Sequence, residues 1–319
     1  MPYLRRPKSA RRMNARPRGR SGYGAWVFEQ DAIDKLSGAY KVKPVMTSEV
    51  DMAQLHPPHY EIDEAATRAM VERATEIVGG RLPVKVATNV LGGTPSETVV
   101  SLMGIKRVLY DVIDRPAFVH RIMDHVTEGF IAYHRQREAA GAVDPEEMWA
   151  RPRVHYEELP SDVDTRRLSY SWSGVSAQSL SGLSPDMYAE SLQPYDARLA
   201  EILGENRIYY HACEDITAKI PIIRQLPNLR RFHVSAWTDL EVAAEQLGRD
   251  FVLEVDVHPG DTLLVHTPDQ MRQALEKRMA MASDSIADVN LRDIHTVNGN
   301  PSVLTTWIEI VQEVTARYA

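Results

Sequence analysis

The sequence predicts an α/β protein made of repeated βα units around a parallel sheet. Short β-rich runs alternate with longer amphipathic stretches along the chain, which is typical of parallel strands joined by helices. Several of the β-rich runs are almost continuously apolar or β-branched, as are strands that are covered on both faces. Eight such units would close a (β/α)8 TIM barrel.

Fewer than eight strands are legible in the sequence. They are residues 84–90, 168–172, 207–210, 231–235, 251–257 and 289–294. We therefore expect the barrel to be irregular or shortened on its N-terminal side. No internal repeat and no linker rich in Pro, Gly or Ser divides the chain, so a single domain over residues 21–319 is predicted.

The stretches between these strands carry helix start signals. Asp114-Arg115-Pro116 predicts the start of a long helix that runs to Ala140, with Asp as the cap and Pro in the first turn. Ser184-Pro185-Asp186 predicts a second start of the same kind. Gly92-Gly93-Thr94-Pro95 lacks the spacing of a phosphate-binding loop, and we expect a substrate loop there.

Composition excludes several classes of protein. The 319 residues are 44% hydrophobic and 25% charged, which is typical of a globular chain. No apolar run approaches the roughly 18 residues of a membrane span, and the N-terminus lacks the apolar region of a secretory signal. The chain contains one cysteine, Cys213, which fits a reducing compartment. We therefore expect a cytoplasmic protein.

Positive charge is concentrated at the N-terminus. Residues 1–20 contain seven Arg, one Lys and no acidic residue, and without these eight charges the net charge of the chain changes from −7 to −15. A segment of this composition buries too little apolar surface to fold, so we expect a disordered basic arm. The acidic body argues against a nucleic-acid partner. A small-molecule substrate is expected, and the composition is compatible with either a monomer or an oligomer.

Polar residues follow the strand predicted at 207–210, where the active sites of parallel barrels gather. His211 and Cys213 are two residues apart, so in extended backbone they point to the same side and can bind one zinc ion. His295, after the last predicted strand, is the best third ligand, and His258 and His266 are weaker candidates. A structural role is the competing interpretation, because a free Cys usually packs as a small hydrophobe and a lone His often caps a strand or helix. The residues alone leave both interpretations open.

Carboxylates lie on the strand predicted at 251–257. Glu254 and Asp256 alternate along it, either in the barrel mouth or at a solvated strand end. Asp256-Val257-His258-Pro259-Gly260 nearly matches the run by which cobalamin-binding domains supply a His to cobalt, but its Gly comes one residue early. We therefore predict a substrate loop here and no cobalamin-binding domain in the chain.

Several segments of the sequence, taken together, resemble a known protein family. Asp114-Arg115-Pro116 with its helix, Ala177-Gln178, Leu183-Ser184-Pro185-Asp186-Met187-Tyr188 and His211-Ala212-Cys213 resemble successive blocks of the uroporphyrinogen decarboxylase superfamily, over roughly residues 102–318. Residues 234–240 and 293–297 resemble a branch separate from its porphyrinogen decarboxylases and from its zinc-dependent methyltransferases. The resemblance implies a (β/α)8 barrel and an enzyme.

Methyl transfer is the main activity that this resemblance implies. The methyltransferases of the superfamily move a methyl group between a corrinoid protein and a thiol, with zinc held by His, Cys and a later Cys. His211 and Cys213 match the first two ligands, and His295 stands in the region of the third. Glu214 replaces the usual Gly after the Cys. The prediction is a zinc-dependent methyltransferase with a separate corrinoid protein as partner.

The alternative activity is cofactor-independent decarboxylation of a uroporphyrinogen-like tetrapyrrole. The substrate-binding Arg-Gln-Ala-Gly-Arg run of those enzymes is only faintly matched by Arg16-Pro17-Arg18-Gly19-Arg20, and their C-terminal Gly-His-Gly-Ile is absent. A third interpretation is a non-catalytic barrel that binds a ligand. The predicted catalytic residues are Tyr209, Asp256 and Asp293, and the predicted substrate-binding residues are Gln178, Trp237 and His258.

Overall fold

The computed structural model describes residues 8–10, 30–32, 40–42, 44–46, 48–79, 81–87, 91–143, 164, 166–205 and 207–318. The chain forms two compact units, Met1–Ile208 and Tyr209–Ala319. Most of residues 1–20, the predicted basic arm, lies outside the described residues, and within it Lys8–Ala10 forms a strand. A single domain over residues 21–319 stays a prediction.

The first unit combines short strands with the longer helices of the chain. Its described strands are β1 (Lys8–Ala10), β2 (Gln30–Ala32), β3 (Tyr40–Val42), β4 (Lys85–Ala87), β5 (Leu91–Gly93) and β6 (Ser173–Val175). β1 pairs with β4 and β5 with β6 in parallel, and β2 pairs with β3 antiparallel. The helices are α1 (Glu64–Val78), α2 (Pro95–Met103), α3 (Ile105–Asp114), α4 (Pro116–Ala139), α5 (Pro185–Ser191) and α6 (Gln193–Ile202), with 3-10 turns at Glu49–Gln54, Leu168–Tyr170 and Gln178–Leu180.

Both predicted helix starts in this unit are confirmed. α4 begins at Pro116, but its N-cap is Arg115 and not Asp114. α5 begins where the Ser184 hydroxyl accepts the backbone N–H of Met187. Proline in the first turn loses no hydrogen bond, because the N–H groups of that turn have no partner inside the helix.

One predicted strand in the first unit is wrong. Residues 168–172 begin with the 3-10 turn, and the strand follows at Ser173–Val175. β6 pairs through Gly174 with Gly92 of β5, where a Cβ on Gly92 would lie 2.8 Å from the Gly174 carbonyl oxygen. This close backbone approach requires glycine, and glycine-rich strands look like loops in a sequence. The loop predicted at Gly92-Gly93 is therefore a strand.

The second unit is a regular succession of parallel strands and helices. Its strands are β7 (Ile208–Tyr210, which begins on the last residue of the first unit), β8 (Leu229–Val234), β9 (Val252–Val257) and β10 (Ile286–Leu291), in the order β10-β9-β8-β7. β9 is parallel to both β8 and β10. The helices are α7 (Ile220–Ile223), α8 (Leu240–Leu247), α9 (Pro268–Met281) and α10 (Ser302–Thr315), with a 3-10 turn at Thr217–Lys219 and a π-helical turn at Asp261–Val265.

Helices α9 and α10 cover one face of the last two strands. Together with the π-helical turn they form a buried cluster that consists of Leu263, Met271, Leu275, Met279, Trp307, Ile310 and Val314. Val257, Val289 and Leu291 of the strands pack against this cluster. Because successive strand residues point to opposite faces, the alternate residues of β9 and β10 lie on the other face. That face carries the polar side chains of the candidate site.

The α/β class with parallel strands is confirmed, and closure into an eight-stranded barrel stays a prediction. β10 ends at Leu291 and not at the predicted residue 294, so Arg292, Asp293 and His295 follow the strand. Among the helices in the described part of the chain, none combines the length and the apolar character needed to cross a bilayer.

Candidate functional site

The polar residues of the second unit lie at alternating positions on neighbouring strands. β8 carries Arg231 and His233, and β9 carries Glu254 and Asp256. Alternate residues of a strand share one face, and His233 is paired directly with Glu254 across the two strands. All four side chains are buried. The carboxyl ends of these strands therefore hold a cluster of ionisable groups, as in parallel α/β enzymes generally.

A cavity of about 390 Å³ lies at these strand ends. Its wall is formed by Cys213, Ser235, Ala236, Trp237, Asp256, Val257, His258, Pro259, Gly260, Leu264, Arg292, Asp293, Ile294, His295 and Thr296. Trp237 is 64% exposed whereas Asp256 is 6% exposed, so apolar side chains flank a polar, buried part of the wall. The volume suits a small molecule, since ligand pockets span about 300–1,000 Å³.

Arg231 is the centre of a buried ion-pair network. Its Nη2 lies 3.1 Å from Glu254 Oε2 and 2.7 Å from Asp288 Oδ1. Burial raises the pKa of Glu254, and the guanidinium of Arg231 opposes that rise. Burial by itself lowers the pKa of Arg231, but the pairs with Asp288 and Glu254 outweigh it and raise this pKa overall. The opposite charges thus stabilise each other where an isolated charge would be unstable.

His233, Asp256 and Arg292 form a second buried group. His233 Nδ1 lies 2.6 Å from the Ala212 carbonyl oxygen, and its Nε2 lies 2.6 Å from Asp256 Oδ2. Arg292 Nη1 lies 2.9 Å from the same carboxylate oxygen and also contacts His233 Nε2. Asp256 Oδ1 is buried and has no hydrogen-bond partner among the described residues. A ligand N–H or O–H that reached this oxygen would satisfy it.

One group of these residues could hold a metal ion. His233, Glu254 and Asp256 each offer a ligand atom, and the three atoms lie within 4.8 Å of one another. Arg292 Nη1 lies among them, 2.9 Å from Asp256 Oδ2 and 3.6 Å from Glu254 Oε1. The guanidinium already supplies positive charge at this position, so an ion would have to displace it.

Cys213 has a basic group on each of two sides. Its Sγ lies 3.2 Å from His211 Nε2 and 3.7 Å from Arg292 Nη2. The His211 ring is stacked on that of His233, with centroids 4.4 Å apart. An imidazole nitrogen and a guanidinium beside a partly exposed thiol are the surroundings that stabilise a thiolate.

The structure brings most of the predicted site residues to one place. The cavity wall includes Cys213, Asp256, Asp293, His295, Trp237 and His258. His211 contacts Cys213 without belonging to the wall, and Tyr209 is 2% exposed and lies behind His211, 3.0 Å from its Nδ1. Gln178 begins the 3-10 turn Gln178–Leu180 in the first unit. The roles assigned to these residues stay predictions.

Sequence reasoning misses Arg231 and His233. The available signal is that both are charged or ionisable residues at alternate positions of a strand that also contains Leu229, Phe232 and Val234. A strand buried on both faces holds such groups only where partners face them. Glu254 and Asp256, which alternate on the next strand, are those partners.

Comparisons with known proteins leave the family open. No family model matches the sequence, and no curated protein matches it. Among solved structures, the chain is similar to a methyltransferase from Methanosarcina mazei, with 14% sequence identity and a TM-score of 0.49. The alignment covers 95% of this chain and 75% of that one. Membership of the uroporphyrinogen decarboxylase superfamily therefore stays a proposal.

Proposed function

We propose that this chain is an enzyme that moves a methyl group between a corrinoid protein and a thiol, at the cavity bounded by Cys213. The observation that carries the proposal is the pairing of Cys213 Sγ with His211 Nε2 at 3.2 Å, on the wall of a cavity of about 390 Å³. These are the two residues through which the sequence resembles the zinc-dependent methyltransferases. The corrinoid protein would be a separate partner.

The groups of the chain favour the nucleophile that this reaction needs. A thiol bound beside Cys213 would lie near His211, which can take its proton, and near Arg292, whose charge stabilises a thiolate. The thiolate sulfur then attacks the methyl carbon, a new S–C bond forms, and the donor keeps the electron pair of the broken bond. The protein also orients the two reactants, which accounts for much of the acceleration in such transfers.

Zinc fits this site only in part. The distance of 3.2 Å between His211 Nε2 and Cys213 Sγ is compatible with two ligands of one ion, given bonds of about 2.0–2.1 Å to nitrogen and about 2.3 Å to sulfur. His295 lines the same cavity, but among the described residues it does not complete a metal-binding group with these two. Zinc held by His211, Cys213 and His295 stays a prediction, and the chemistry above uses only groups of the protein.

Decarboxylation is the second candidate, and Asp256 and Arg292 favour it. Asp256 Oδ1 and Arg292 Nε are buried without partners among the described residues, and both side chains line the cavity. In this proposal Asp256 accepts a pyrrole N–H and Arg292 binds a substrate carboxylate. Tyr209 and Asp293 would complete the catalytic set, and Trp237 and His258 would bind substrate in either reaction. The substrate-binding role of Gln178, which belongs to the first unit, stays a prediction.

Metal content and methyl transfer together test the proposal. The zinc content of the purified protein would be measured for the wild type, Cys213→Ser, His295→Ala and the control His266→Ala, whose side chain does not line the cavity. Methyl transfer from methylcobalamin to a small thiol would be followed with the same proteins. We expect Cys213→Ser to abolish transfer, and to abolish zinc binding if Cys213 is a ligand.

Two outcomes would contradict the zinc-dependent mechanism. The first is full metal content in both Cys213→Ser and His295→Ala, which would place the metal elsewhere. The second is the absence of any methyl transfer by the wild type. Metal-free protein that binds a tetrapyrrole carboxylate, with binding lost in Asp256→Asn, would support decarboxylation instead.

A further inference from the structure

Two buried polar atoms of the cavity wall have no hydrogen-bond partner among the described residues. They are Asp256 Oδ1 and Arg292 Nε. Asp256 is 6% exposed and Arg292 is 8% exposed, and both residues line the cavity of about 390 Å³. A carboxylate oxygen can only accept a hydrogen bond, and a guanidinium N–H can only donate one. The wall therefore contains an unsatisfied acceptor and an unsatisfied donor, which a ligand in the cavity would satisfy.

These two atoms are close enough for one small group to reach both. Asp256 Oδ2 lies 2.9 Å from Arg292 Nη1. Oδ1 shares a carbon atom with Oδ2, and Nε shares a carbon atom with Nη1. With C–O and C–N bonds of about 1.2–1.3 Å, the two unpartnered atoms are therefore at most about 8 Å apart. A small ligand group that makes a hydrogen bond of about 2.9 Å at each end spans a similar distance.

The charges beside the cavity favour a ligand without net charge. Arg292 is paired with Asp256, and Arg231 is paired with Glu254, so these four buried charges sum to zero. The second partner of Arg231, Asp288, has a side chain that is 30% exposed. A ligand with a net charge would lose its hydration without gaining an unpaired opposite charge, which costs free energy. A neutral group that donates one hydrogen bond and accepts another avoids this cost.

We propose that Asp256 and Arg292 form a subsite for an amide group, whose N–H donates to Asp256 Oδ1 and whose C=O accepts from Arg292 Nε. An amide is neutral and carries its donor and its acceptor on different atoms, as two separate side chains require. This inference rests on the proposed function, because it concerns the same cavity, and it names the substrate class. The thiol that accepts the methyl group carries an amide.

Apolar side chains of the same wall contact the rest of the ligand. Trp237, Leu264 and Ile294 line the cavity and are 64%, 49% and 42% exposed. Exposed apolar side chains around a few buried polar groups are typical of ligand sites, in which the polar groups fix the orientation of the ligand. The ligand thus has an apolar part beside these three residues and its amide beside Asp256.

Four probes of similar size test this ligand chemistry. Benzamide is neutral and carries a donor and an acceptor on different atoms. Benzoate is an anion with acceptors only, benzamidine is a cation with donors only, and benzyl alcohol is neutral with both functions on one oxygen atom. Their dissociation constants for the full-length protein would be measured by isothermal titration calorimetry at neutral pH. We expect benzamide to bind at least about fivefold more tightly than each of the others, because each of them leaves a buried group unsatisfied.

A pair of variants tests whether the probe binds at this subsite. Asp256→Asn removes the charge of the acceptor and keeps the shape of the side chain. Asp261→Asn is the matched control, because Asp261 does not line the cavity and its side chain is 65% exposed. We expect benzamide to bind about fivefold more weakly to Asp256→Asn, since hydrogen bonds to charged groups are the stronger ones, and within about twofold of the wild type to Asp261→Asn.

The ranking of the probes on the wild type can overturn the proposal without any variant, so it also decides if Asp256→Asn does not fold. Tighter binding of benzoate or benzamidine, equal binding of benzyl alcohol, or no binding of any probe would each overturn it. Benzoate in first place would favour the carboxylate substrate of the second candidate function. Equal weakening in the two variants would also count against the subsite. No probe contains a thiol or a methyl donor, so failure of the proposed methyl transfer would be seen separately.

Discussion

Replacing Arg231 with methionine would test the buried ion-pair network of the second unit. Methionine keeps a long side chain but removes the guanidinium that lies 3.1 Å from Glu254 Oε2, while that of Arg292 stays 3.6 Å from Oε1. Arg231 is 1% exposed and Glu254 is 0% exposed, so solvent cannot replace the lost charge. Removing one partner of such a pair costs about 3–5 kcal/mol. We expect Arg231→Met to lower the free energy of unfolding by this amount, as measured by urea denaturation followed by circular dichroism.

The loss of stability in Arg231→Met should also depend on pH. Burial already raises the pKa of Glu254, and loss of Arg231 should raise it further. A protein in which the native pKa of an acid is raised loses stability as the pH rises toward that pKa, so the difference in stability between variant and wild type should narrow as the pH is lowered.

A neighbouring arginine supplies the control for this experiment. Arg230 lies beside Arg231 on the same strand, at a half-buried position where its Nη1 donates to the Asp250 carbonyl oxygen at 3.2 Å. Arg230→Met should change the free energy of unfolding by about 0.5–1.5 kcal/mol, as the loss of a hydrogen bond at a half-buried position generally does. A cost for Arg231→Met below about 1 kcal/mol, or no larger than that of Arg230→Met, would refute the role given to the network.

Two further predictions concern the first unit. Burial lowers the pKa of His134 to about 4 from an ordinary value of 6.5, so the unfolded chain binds a proton at a higher pH than the native state does. Stability should therefore fall by up to about 3 kcal/mol between pH 6.5 and pH 4, and His134→Gln should remove this part of the pH dependence in acid titrations of unfolding; an unchanged profile would contradict it. Gly92→Ala should cost about 2 kcal/mol or more, because its Cβ would lie 2.8 Å from the Gly174 carbonyl oxygen and the backbone has a φ of 148°. Gly182→Ala, with nothing within 4 Å of its Cβ, is the control, and equal melting temperatures for the two variants would count against the close approach.

Local patterns in the sequence determine much of the fold. The starts of α4 and α5 are predicted because proline and a capping hydroxyl act within one turn of helix. β8 and β9 are predicted because their Leu, Val and Phe residues are typical of buried strands. The proximity of His211 and Cys213 is also predicted from local geometry, since residues two apart in extended backbone point to the same side, although both residues follow the end of β7.

Other features depend on which distant residues meet, and only the tertiary structure decides them. β5 and β6 form where Gly92 and Gly174 approach, a contact that no local pattern signals. In the site, the register of β8 against β9 is what brings Arg231 to Glu254, and Arg292 reaches Asp256 only after β10 ends three residues earlier than predicted. The register between distant strands decides which side chains face a buried charge. The sequence of a buried strand shows where a charged residue lies, but it does not show which residue lies opposite it.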